Sequence, residues 1–536
     1  MSIIKNPILK GFNPDPSIIR VQDDYYVATS TFEWFPGVQI HHSKDLVNWR
    51  LLTHPLASIE KLNMKGNVDS GGVWAPCLSY SDGTFYLIFS DVKSHYGAFK
   101  DCHNYLVTAS DIHGPWSEPI YLNSSGFDPS LFHDEDGSKW LVNMVWDHRK
   151  NKNSFGGILL QEYDVHEQKL IGPVKNIFKG TELGLTEAPH LYKKGSYYYL
   201  MTAEGGTRYD HAVTMARATS IDGPYEVDPQ NPMLTSKGKD HLALQKAGHG
   251  SLVETQEGEW YMTHLVGRPL PHSKKCNLGR ETAIQKCEWS EDGWLRISVG
   301  GNDPQVQVQS IDVSEFQFDL AKTKDDFTEE TLNIHFNSLR TPVTEEWASL
   351  KEREGFLRIY GRESLHSLHQ QSLIARRQQS FQVMAETVVE FKPTTFQQMA
   401  GLVYYYNTKN YYYLHVSYDD DLGKCIGIMS NSKGKYDEPI DGMISIDNWQ
   451  RCYLKMKVQY EEVQFYYSKD GEHWLELGPT LDASHISDEN ADIVANGANL
   501  DQGFTGGFIG MAVQDLSGQK RYADFDYFIY EEAESR

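Results

Sequence analysis

The stretch PDPSIIRVQDDYYVATST, residues 14–31, consists of two short apolar segments separated by a polar turn. The second segment is rich in aromatic and β-branched residues, so the stretch predicts a β-hairpin. Pro14 and Pro16 flank Asp15, and a proline favours extended geometry in the residue before it. We therefore expect Asp15 to have a fixed direction on an extended entry to the first strand. It is either a turn residue that accepts backbone hydrogen bonds or a carboxylate directed at a site.

The same pattern recurs four times in the first three hundred residues, about every 55–60 residues. The copies are WAPCLSYSDGTFYLIFSD from Trp74, FDPSLFHDEDGSKWLVNMVW from Phe127, EAPHLYKKGSYYYLMTAEG from Glu187 and GHGSLVETQEGEWYMTHLVG from Gly248. The segments HHSKDLVNW, TASDIHGPW and ATSIDGPYE follow hairpins and supply a further strand and turn. A unit of four short strands fits this period, and radial stacking of such units makes a β-propeller. Five copies predict five blades, and the region TAIQKCEWSEDGWLRISVGG after the last copy is expected to close the ring.

Equivalent positions of the five copies predict where a site lies. Asp15, Ala75, Asp128, Ala188 and His249 share one column, and Pro14, Trp74, Phe127, Glu187 and Gly248 share the column before it. Residues at the starts of the innermost strands converge on the axis of a propeller, so Asp15, Asp128 and Glu187 are expected to meet. Like charges this close raise at least one pKa, which a fold does not require. Metal binding and acid–base hydrolysis of a glycosidic bond both use such a cluster.

Length, charge and cysteine usage exclude several classes of protein. A chain of 536 residues is expected to form two or three domains. Its formal net charge of −23 disfavours binding to nucleic acid or to an anionic membrane. No run approaches the roughly 20 apolar residues of a membrane span, and the N-terminus MSIIKNPILKGFNPDPS is interpreted as a mature cytoplasmic start. Six cysteines without CxxC spacing predict free thiols rather than a zinc site or a disulfide framework.

The second half of the chain has a different pattern. Segments such as GLVYYYNTKNYYYLHVSYDD and RCYLKMKVQYEEVQFYYSKDGEHW alternate in polarity, which predicts antiparallel strands and a β-sandwich of the jelly-roll, lectin-like kind. We place the boundary near residue 322, so that the propeller covers 1–322 and the sandwich covers 323–536. The sandwich either binds sugar or serves as a scaffold that packs on the propeller, and the scaffold interpretation is favoured because no separate acidic or metal cluster is seen.

The motifs NPDPS, GVWAPCL, GFDPSLF, TEAPHLY, GHGSLVET and LGRETAI, taken in this order, resemble glycoside hydrolase family 43. They are similar to the β-xylosidases of that family, which have a five-bladed propeller and a β-sandwich, and the resemblance covers essentially the whole chain. It implies that Asp15 is the general base and Glu187 the general acid. It also implies that Asp128 raises the pKa of Glu187 and orients it. The apolar setting of Glu187 agrees with a proton donor of raised pKa.

Five further residues are predicted to contact substrate. Arg280 can fork onto sugar hydroxyls and pair with Asp15, although a surface ion pair with Glu281 would also explain it. Trp74, Phe32 and Trp146 are candidate pocket walls, with core packing as the alternative. In similar enzymes a loop of the sandwich reaches over the pocket, and Phe504, with Phe508 in reserve, is our candidate for that loop.

His249 has two interpretations. A histidine in a Gly-His-Gly turn can simply be a hydrogen-bonded loop residue. The resemblance instead implies a structural Ca²⁺ ion in the central channel, with a histidine and waters as ligands. Ca²⁺ normally prefers oxygen ligands. Hydrolysis by two carboxylates requires no metal cofactor.

The resemblance implies an inverting exo-glycosidase that removes xylose from xylobiose and short xylo-oligosaccharides, with side activity on α-L-arabinofuranosides. The implied state is a homo-oligomer, a dimer or a tetramer. Three alternatives stay open: a main activity as an α-L-arabinofuranosidase, a retaining fructan-type hydrolase and a non-catalytic glycan-binding propeller. The second is disfavoured because Asn13-Pro14-Asp15-Pro16 stands where an Asn-Asp-Pro-Asn motif would be expected. The third would leave the carboxylate cluster unexplained.

Overall fold

Five antiparallel sheets follow one another along the first 297 residues of the computed structural model, which describes residues 2–495 and 498–533. Blade 1 consists of Ser17–Val21, Asp24–Thr29, Gln39–Ser43 and Arg50–Thr53, and blade 2 of Gly72–Ser81, Thr84–Ser94, Asp101–Ala109 and Ile120–Asn123. Blade 3 consists of Ser130–His133, Lys139–Trp146, Phe155–Asp164 and Lys169–Phe178. Blade 4 consists of Glu187–Lys194, Tyr197–Glu204, Ala212–Ala218 and Glu226–Val227, with Leu234–Thr235 added beside its third strand. Blade 5 consists of Gln245–Glu254, Trp260–Gly267, Arg280–Trp289 and Leu295–Ile297.

The blades form a closed ring, because the first strand of each blade contacts the first strand of the next and blade 5 contacts blade 1. The predicted five-bladed propeller is thereby confirmed. The region expected to close the ring after a fifth repeat is in fact the third and fourth strands of blade 5. The N-terminal strand Ile3–Lys5 pairs with Gln307–Gln309, and Leu9 pairs with Thr282 of blade 5.

The column of equivalent residues shares one backbone conformation. Asp15, Ala75, Asp128, Ala188 and His249 all have left-handed φ, at 56°, 37°, 53°, 51° and 54°. This conformation is uncommon for residues other than glycine. The extended geometry expected for Asp15 is therefore wrong: the left-handed conformation common to this position in all five blades overrides the local preference set by Pro16.

The C-terminal half is a sandwich of two antiparallel sheets. One sheet has the order Ala348–Ser349, Leu357–Tyr360, Tyr522–Glu532, Gln382–Phe391, Cys452–Gln459, Glu462–Ser468 and Leu475–Asp482, with Lys324–Asp325 beside Tyr522–Glu532. The other has the order Ser372–Arg377, Phe508–Asp515, Gln398–Asn407, Asn410–Asp419, Gly423–Ser432 and Lys435–Asp437, with Ile444–Ser445 beside Gly423–Ser432. Ile493–Ala495 pairs with Ala498–Asp501, and the helical turns are Ala483–His485 and Asp488–Ala491. Leu402, Leu414, Leu454 and Phe525 belong to the core between the two sheets. The predicted β-sandwich is confirmed.

The two halves pack through a continuous core. Trp34–Phe35 pairs with Ser338–Leu339 across the interface, and the ring of Trp34 stacks on Phe508 with centroids 3.6 Å apart. Arg340 is fully buried and donates to Asp69 of the propeller at 2.7 Å. The predicted limits of 1–322 and 323–536 fall between the strand Gln307–Gln309 and the strand Lys324–Asp325. This packing fixes the loop containing Phe504 over one end of the propeller.

All six cysteines are buried and unpaired. Within the described parts of the chain, no helix is long and apolar enough to cross a membrane.

Candidate active site

A cavity of about 590 Å³ opens at the propeller axis, and every predicted site residue lies on its wall. These residues are Asp15, Phe32, Trp74, Asp128, Trp146, Glu187, His249, Arg280 and Phe504. They come from all five blades and from one sandwich loop. The structure therefore brings together residues that are almost 500 positions apart in the sequence.

Asp15 is held by donors on two sides. The Ser30 hydroxyl donates to Oδ2 at 2.7 Å, and the Arg280 guanidinium lies 3.3 Å from Oδ1. The same Ser30 oxygen accepts the backbone N–H of Ala75 at 2.7 Å, which ties blade 1 to blade 2. Only 6% of Asp15 is exposed. These contacts fix the orientation of the Asp15 side chain.

Asp128 and Glu187 are two buried carboxyl groups whose pKa values are both raised. Burial raises the pKa of Glu187 well above its ordinary value, and the nearby charges of Asp128 and Asp15 raise it further. Burial and the charge of Asp15 also raise the pKa of Asp128, to about 8. However, Asp128 Oδ2 accepts the backbone N–H of Ala188 at 3.1 Å, which favours its charged form. Burial and two neighbouring carboxylate charges therefore favour the protonated form of Glu187.

Arg280 begins the third strand of blade 5 and points into the cavity rather than towards Glu281. Its guanidinium donates to Thr207 Oγ1 at 2.6 Å and to the carbonyl of Phe504 at 3.1 Å, besides its contact with Asp15. Glu281 instead pairs with Arg268 at 2.6 Å. The surface ion pair between Arg280 and Glu281 that we considered is therefore wrong. Arg280 links Asp15, a loop of blade 4 and the sandwich.

An arc of aromatic rings forms one wall of the cavity. Trp74 lies 5.9 Å from Phe32 and 5.7 Å from Phe504, measured between ring centroids. Trp146 is half-buried, and its ring packs 5.6 Å from Phe155. Such faces suit the apolar C–H faces of a sugar.

Phe504 and Phe508 have different surroundings. Phe504 lines the cavity, whereas Phe508 is fully buried against Trp34 in the interface core. Phe508, our reserve candidate, is therefore excluded from the pocket wall. Ser70 fixes the Phe504 loop from the propeller side by donating to the carbonyl of Gln502 at 2.7 Å and accepting the N–H of Phe504.

His249 lies in the same cavity, with Nδ1 3.7 Å from Asp15 Oδ1. Burial lowers its pKa, so the neutral ring is favoured. Among the described residues, no group of three or more His, Cys, Asp or Glu side chains is arranged to hold a metal ion. The residues around His249 therefore do not fit a Ca²⁺ ion held directly by protein side chains.

Several cavity residues were not predicted from the sequence: His95, Lys100, Phe127, Phe155, Thr207, Arg208 and Gln502. Phe127 shares the column of Trp74 and Glu187, so the repeat contained the signal for it. Lys100, whose ammonium lies 4.5 Å above the Trp146 ring, and Thr207 lie outside the aligned hairpins and had no such signal. Arg208 pairs with Asp492 of the sandwich, a contact that only the folded chain defines.

This arrangement can perform acid–base hydrolysis. Three carboxyl groups lie in one cavity, and burial together with the charges of the other two raises the pKa of Glu187. Aromatic walls and a guanidinium supply contacts for a ring with several hydroxyls. These are the requirements for cleaving a glycosidic bond.

Comparison with known proteins identifies the family. The model of "Glycosyl hydrolases family 43" matches residues 4–295, and that of "Beta xylosidase C-terminal Concanavalin A-like domain" matches residues 324–531. The chain is 52% identical to a beta-xylosidase of Bacillus subtilis (strain 168), with 99% of each chain covered. It is 50% identical to xylosidase/arabinosidase 43B of Humicola insolens, over 99% of this chain and 98% of the relative.

A solved structure agrees with these relatives. The crystal structure of xylan beta-1,4-xylosidase from Bacillus halodurans C-125 superposes with a TM-score of 0.96 and shares 59% sequence identity, covering 99% of this chain and 100% of that one. Fold, cavity and sequence therefore lead to one conclusion: the chain belongs to glycosyl hydrolases family 43 and is a glycoside hydrolase.

Proposed function

We propose that the protein is an inverting exo-β-xylosidase that removes terminal β-1,4-linked xylose from xylobiose and short xylo-oligosaccharides. The observation that carries the proposal is that two carboxyl groups in one cavity, Asp15 and Glu187, have different environments. Asp15 is fixed by Ser30 and Arg280, while burial and Asp128 raise the pKa of Glu187. A proton acceptor and a proton donor are thus present in the same site at neutral pH. The interpretation as a non-catalytic binder is set aside, because the chain belongs to a family of hydrolases.

The proposed reaction follows from these two groups. Asp15 takes a proton from a water molecule as the water oxygen attacks the anomeric carbon. Glu187 gives its proton to the glycosidic oxygen as the bond between that oxygen and the anomeric carbon breaks. Attack occurs on the face opposite the leaving group, so the β-linkage yields α-xylose. Asp128 acts through Glu187: the charge of Asp128 raises the pKa of Glu187, which helps Glu187 keep its proton.

The walls of the cavity support attack from the chain end. Phe504 and Gln502 of the sandwich lie on the wall beside Phe32 and Trp74 of the propeller. A cavity closed on this side holds a terminal sugar more readily than the middle of a polymer. Release of one xylose at a time from the non-reducing end is the proposed consequence.

Side activity on α-L-arabinofuranosides is part of the proposal. It is supported by the Humicola insolens relative, whose name contains both activities. Small differences in pocket contacts are sufficient to change the ratio between two such sugars.

The proposal also covers cellular context and assembly. Six unpaired, buried thiols favour a reducing compartment such as the cytoplasm. Self-association into a dimer or tetramer follows the general tendency of soluble enzymes, and light scattering on the purified protein measures it. A Ca²⁺ ion near His249 stays a prediction, with water as the main source of ligands.

The test compares two substrates and one variant. The wild-type protein should hydrolyse xylobiose with a higher kcat/KM than p-nitrophenyl α-L-arabinofuranoside. Asp15→Asn keeps the shape of the side chain and should lower kcat on both by about 10²–10⁴-fold, the usual contribution of a general base. A preference for the arabinofuranoside would make arabinofuranosidase the main activity. An Asp15→Asn enzyme within tenfold of wild type would remove Asp15 from the base role.

A further inference from the structure

A second cavity, of about 400 Å³, lies between the propeller and the sandwich, and its lining is strongly basic. We call it the interdomain cavity. Its charged and imidazole side chains are Lys10, His41, Arg50, His335, Arg376 and Arg377, against the single carboxylate of Asp319. Asp319 and Arg50 are exposed at the rim, whereas Arg376 and Arg377 are buried. An excess of cations is notable in a chain whose net charge is −23.

Arg377 carries a buried charge without a carboxylate partner. It is 5% exposed, and it donates to the Phe12 carbonyl at 2.8 Å and to Asn337 Oδ1 at 2.5 Å. Its third nitrogen, Nη2, is buried and has no partner. Burial lowers the pKa of this guanidinium to about 9, and no neighbouring carboxylate opposes the effect. An unpaired buried guanidinium costs free energy that a bound anion would recover.

Arg376 is also a buried arginine with an unpartnered nitrogen. It is 8% exposed, its guanidinium stacks 4.1 Å from the Tyr530 ring, and its Nε has no partner. The charges of Glu532 and Asp325 act on it, but burial still lowers its pKa. Burial, and after it the positive charges of Arg376 and Arg377, lower the pKa of His335 to about 4, so the imidazole adds no charge but keeps its hydrogen-bonding capacity.

Other unsatisfied polar atoms line the same cavity. His41 Nδ1, Asn13 Oδ1 and Gln39 Oε1 are buried and without partners. Buried polar atoms in native proteins are normally paired, so a group of orphans around one cavity shows where water or a ligand supplies the partners. Two of these orphans are oxygen acceptors, which suits a ligand that carries hydroxyl groups as well as negative charge.

We propose that the interdomain cavity binds a small oxyanion of the phosphate type, either the free ion or the phosphate group of a hydroxylated metabolite. Arg376 and Arg377 would contact the anion, and Asn13 and Gln39 would accept hydroxyls of the metabolite. Such a ligand is held by residues of both domains and stabilises the folded state by mass action. The site is distinct from the carboxylate cavity, because the two cavities share no lining residue.

Thermal unfolding and calorimetry test the proposal with inorganic phosphate and glycerol 3-phosphate as probes. Ionic strength is held constant with sodium chloride. The Tm should rise with the logarithm of phosphate concentration, and Arg376→Met should weaken phosphate binding by about tenfold or more, the usual effect of losing one charge-assisted contact. Arg149→Met, which removes an exposed arginine outside this cavity, should bind as wild type does.

The outcomes are distinct. Tighter binding of glycerol 3-phosphate than of phosphate would identify a phosphorylated metabolite as the ligand, and equal binding would identify the free ion. If Arg376→Met does not fold, Arg50→Met at the exposed rim replaces it and should weaken binding to a smaller extent. No change in Tm and no heat for the wild-type protein with either probe would overturn the proposal. Wild-type affinity for phosphate in Arg376→Met and Arg50→Met would also overturn the proposal.

Discussion

The carboxylate cluster should cost the protein stability, and Asp128→Asn should recover it in a pH-dependent way. The folded protein raises the pKa of Asp128 from 3.8 to about 8. A difference of about 4 pKa units corresponds to about 6 kcal/mol, at 1.36 kcal/mol per unit. The sign follows from proton linkage: the folded state binds this proton more tightly, so the contribution is fully present below about pH 4 and lost as the pH rises towards 8.

The stability lost through Asp128 depends on the pH. With the same two pKa values, the wild-type protein has lost about 2 kcal/mol at pH 5 and about 4 kcal/mol at pH 7 through this group. Asparagine does not titrate, and its carbonyl oxygen can still accept the N–H of Ala188. The stability gained by Asp128→Asn over wild type should therefore grow by about 2–3 kcal/mol between pH 5 and pH 7.

Urea unfolding at the two pH values measures this difference. Asp240→Asn changes an exposed aspartate and serves as the control, which should show no such growth. An equal effect of Asp128→Asn at pH 5 and pH 7 would refute the claim that burial and like charge raise the pKa of this carboxyl group. The variant should also lose activity, because the amide cannot carry the negative charge that raises the pKa of Glu187.

Three further predictions concern the site. Glu187→Gln should lower kcat on xylobiose by about 10²–10⁴-fold and on p-nitrophenyl β-xyloside far less, because a good leaving group needs little protonation; equal losses on both substrates would contradict the acid role. Phe504→Ala should raise KM for xylobiose and lower Tm less than Phe508→Ala does, because Phe504 is 8% exposed and lines the cavity whereas Phe508 is fully buried. Phe508→Ala should lower Tm, because losing a buried phenylalanine costs about 3–5 kcal/mol; a reversed pattern would exchange the roles of the two rings. Treatment with EDTA should lower activity or Tm in the wild type but not in His249→Ala if an ion is held at His249; the absence of any change in the wild type would leave His249 as a loop residue.

The repeat made the propeller and much of the site predictable. The five hairpins occur at a regular interval, and one column of residues places Asp15 and Asp128 on a common ring. Glu187 was placed by the neighbouring column. The division of roles between these carboxylates was not accessible from the pattern, because it depends on burial and on donors such as Ser30, which lies 15 residues from Asp15.

The parts that were missed depend on tertiary contacts. The left-handed φ of Asp15 is shared by the equivalent residues of all five blades, and the local effect of Pro16 does not reveal it. Thr207 and Arg208 lie in a loop without a repeat pattern, and their partners Arg280 and Asp492 are distant in sequence. The interdomain cavity joins Lys10 and Arg50 of the propeller to Arg376 of the sandwich, so no single segment of the chain predicts it.

Proton NMR of xylobiose mixed with the protein tests the central claim most directly, by following the anomeric signals of released xylose during the first minutes. The pairing of Asp15 as base with Glu187 as acid predicts that α-xylose appears first and that β-xylose grows only as the sugar mutarotates. Release of β-xylose first would require a covalent intermediate and a carboxylate nucleophile, and would contradict the account.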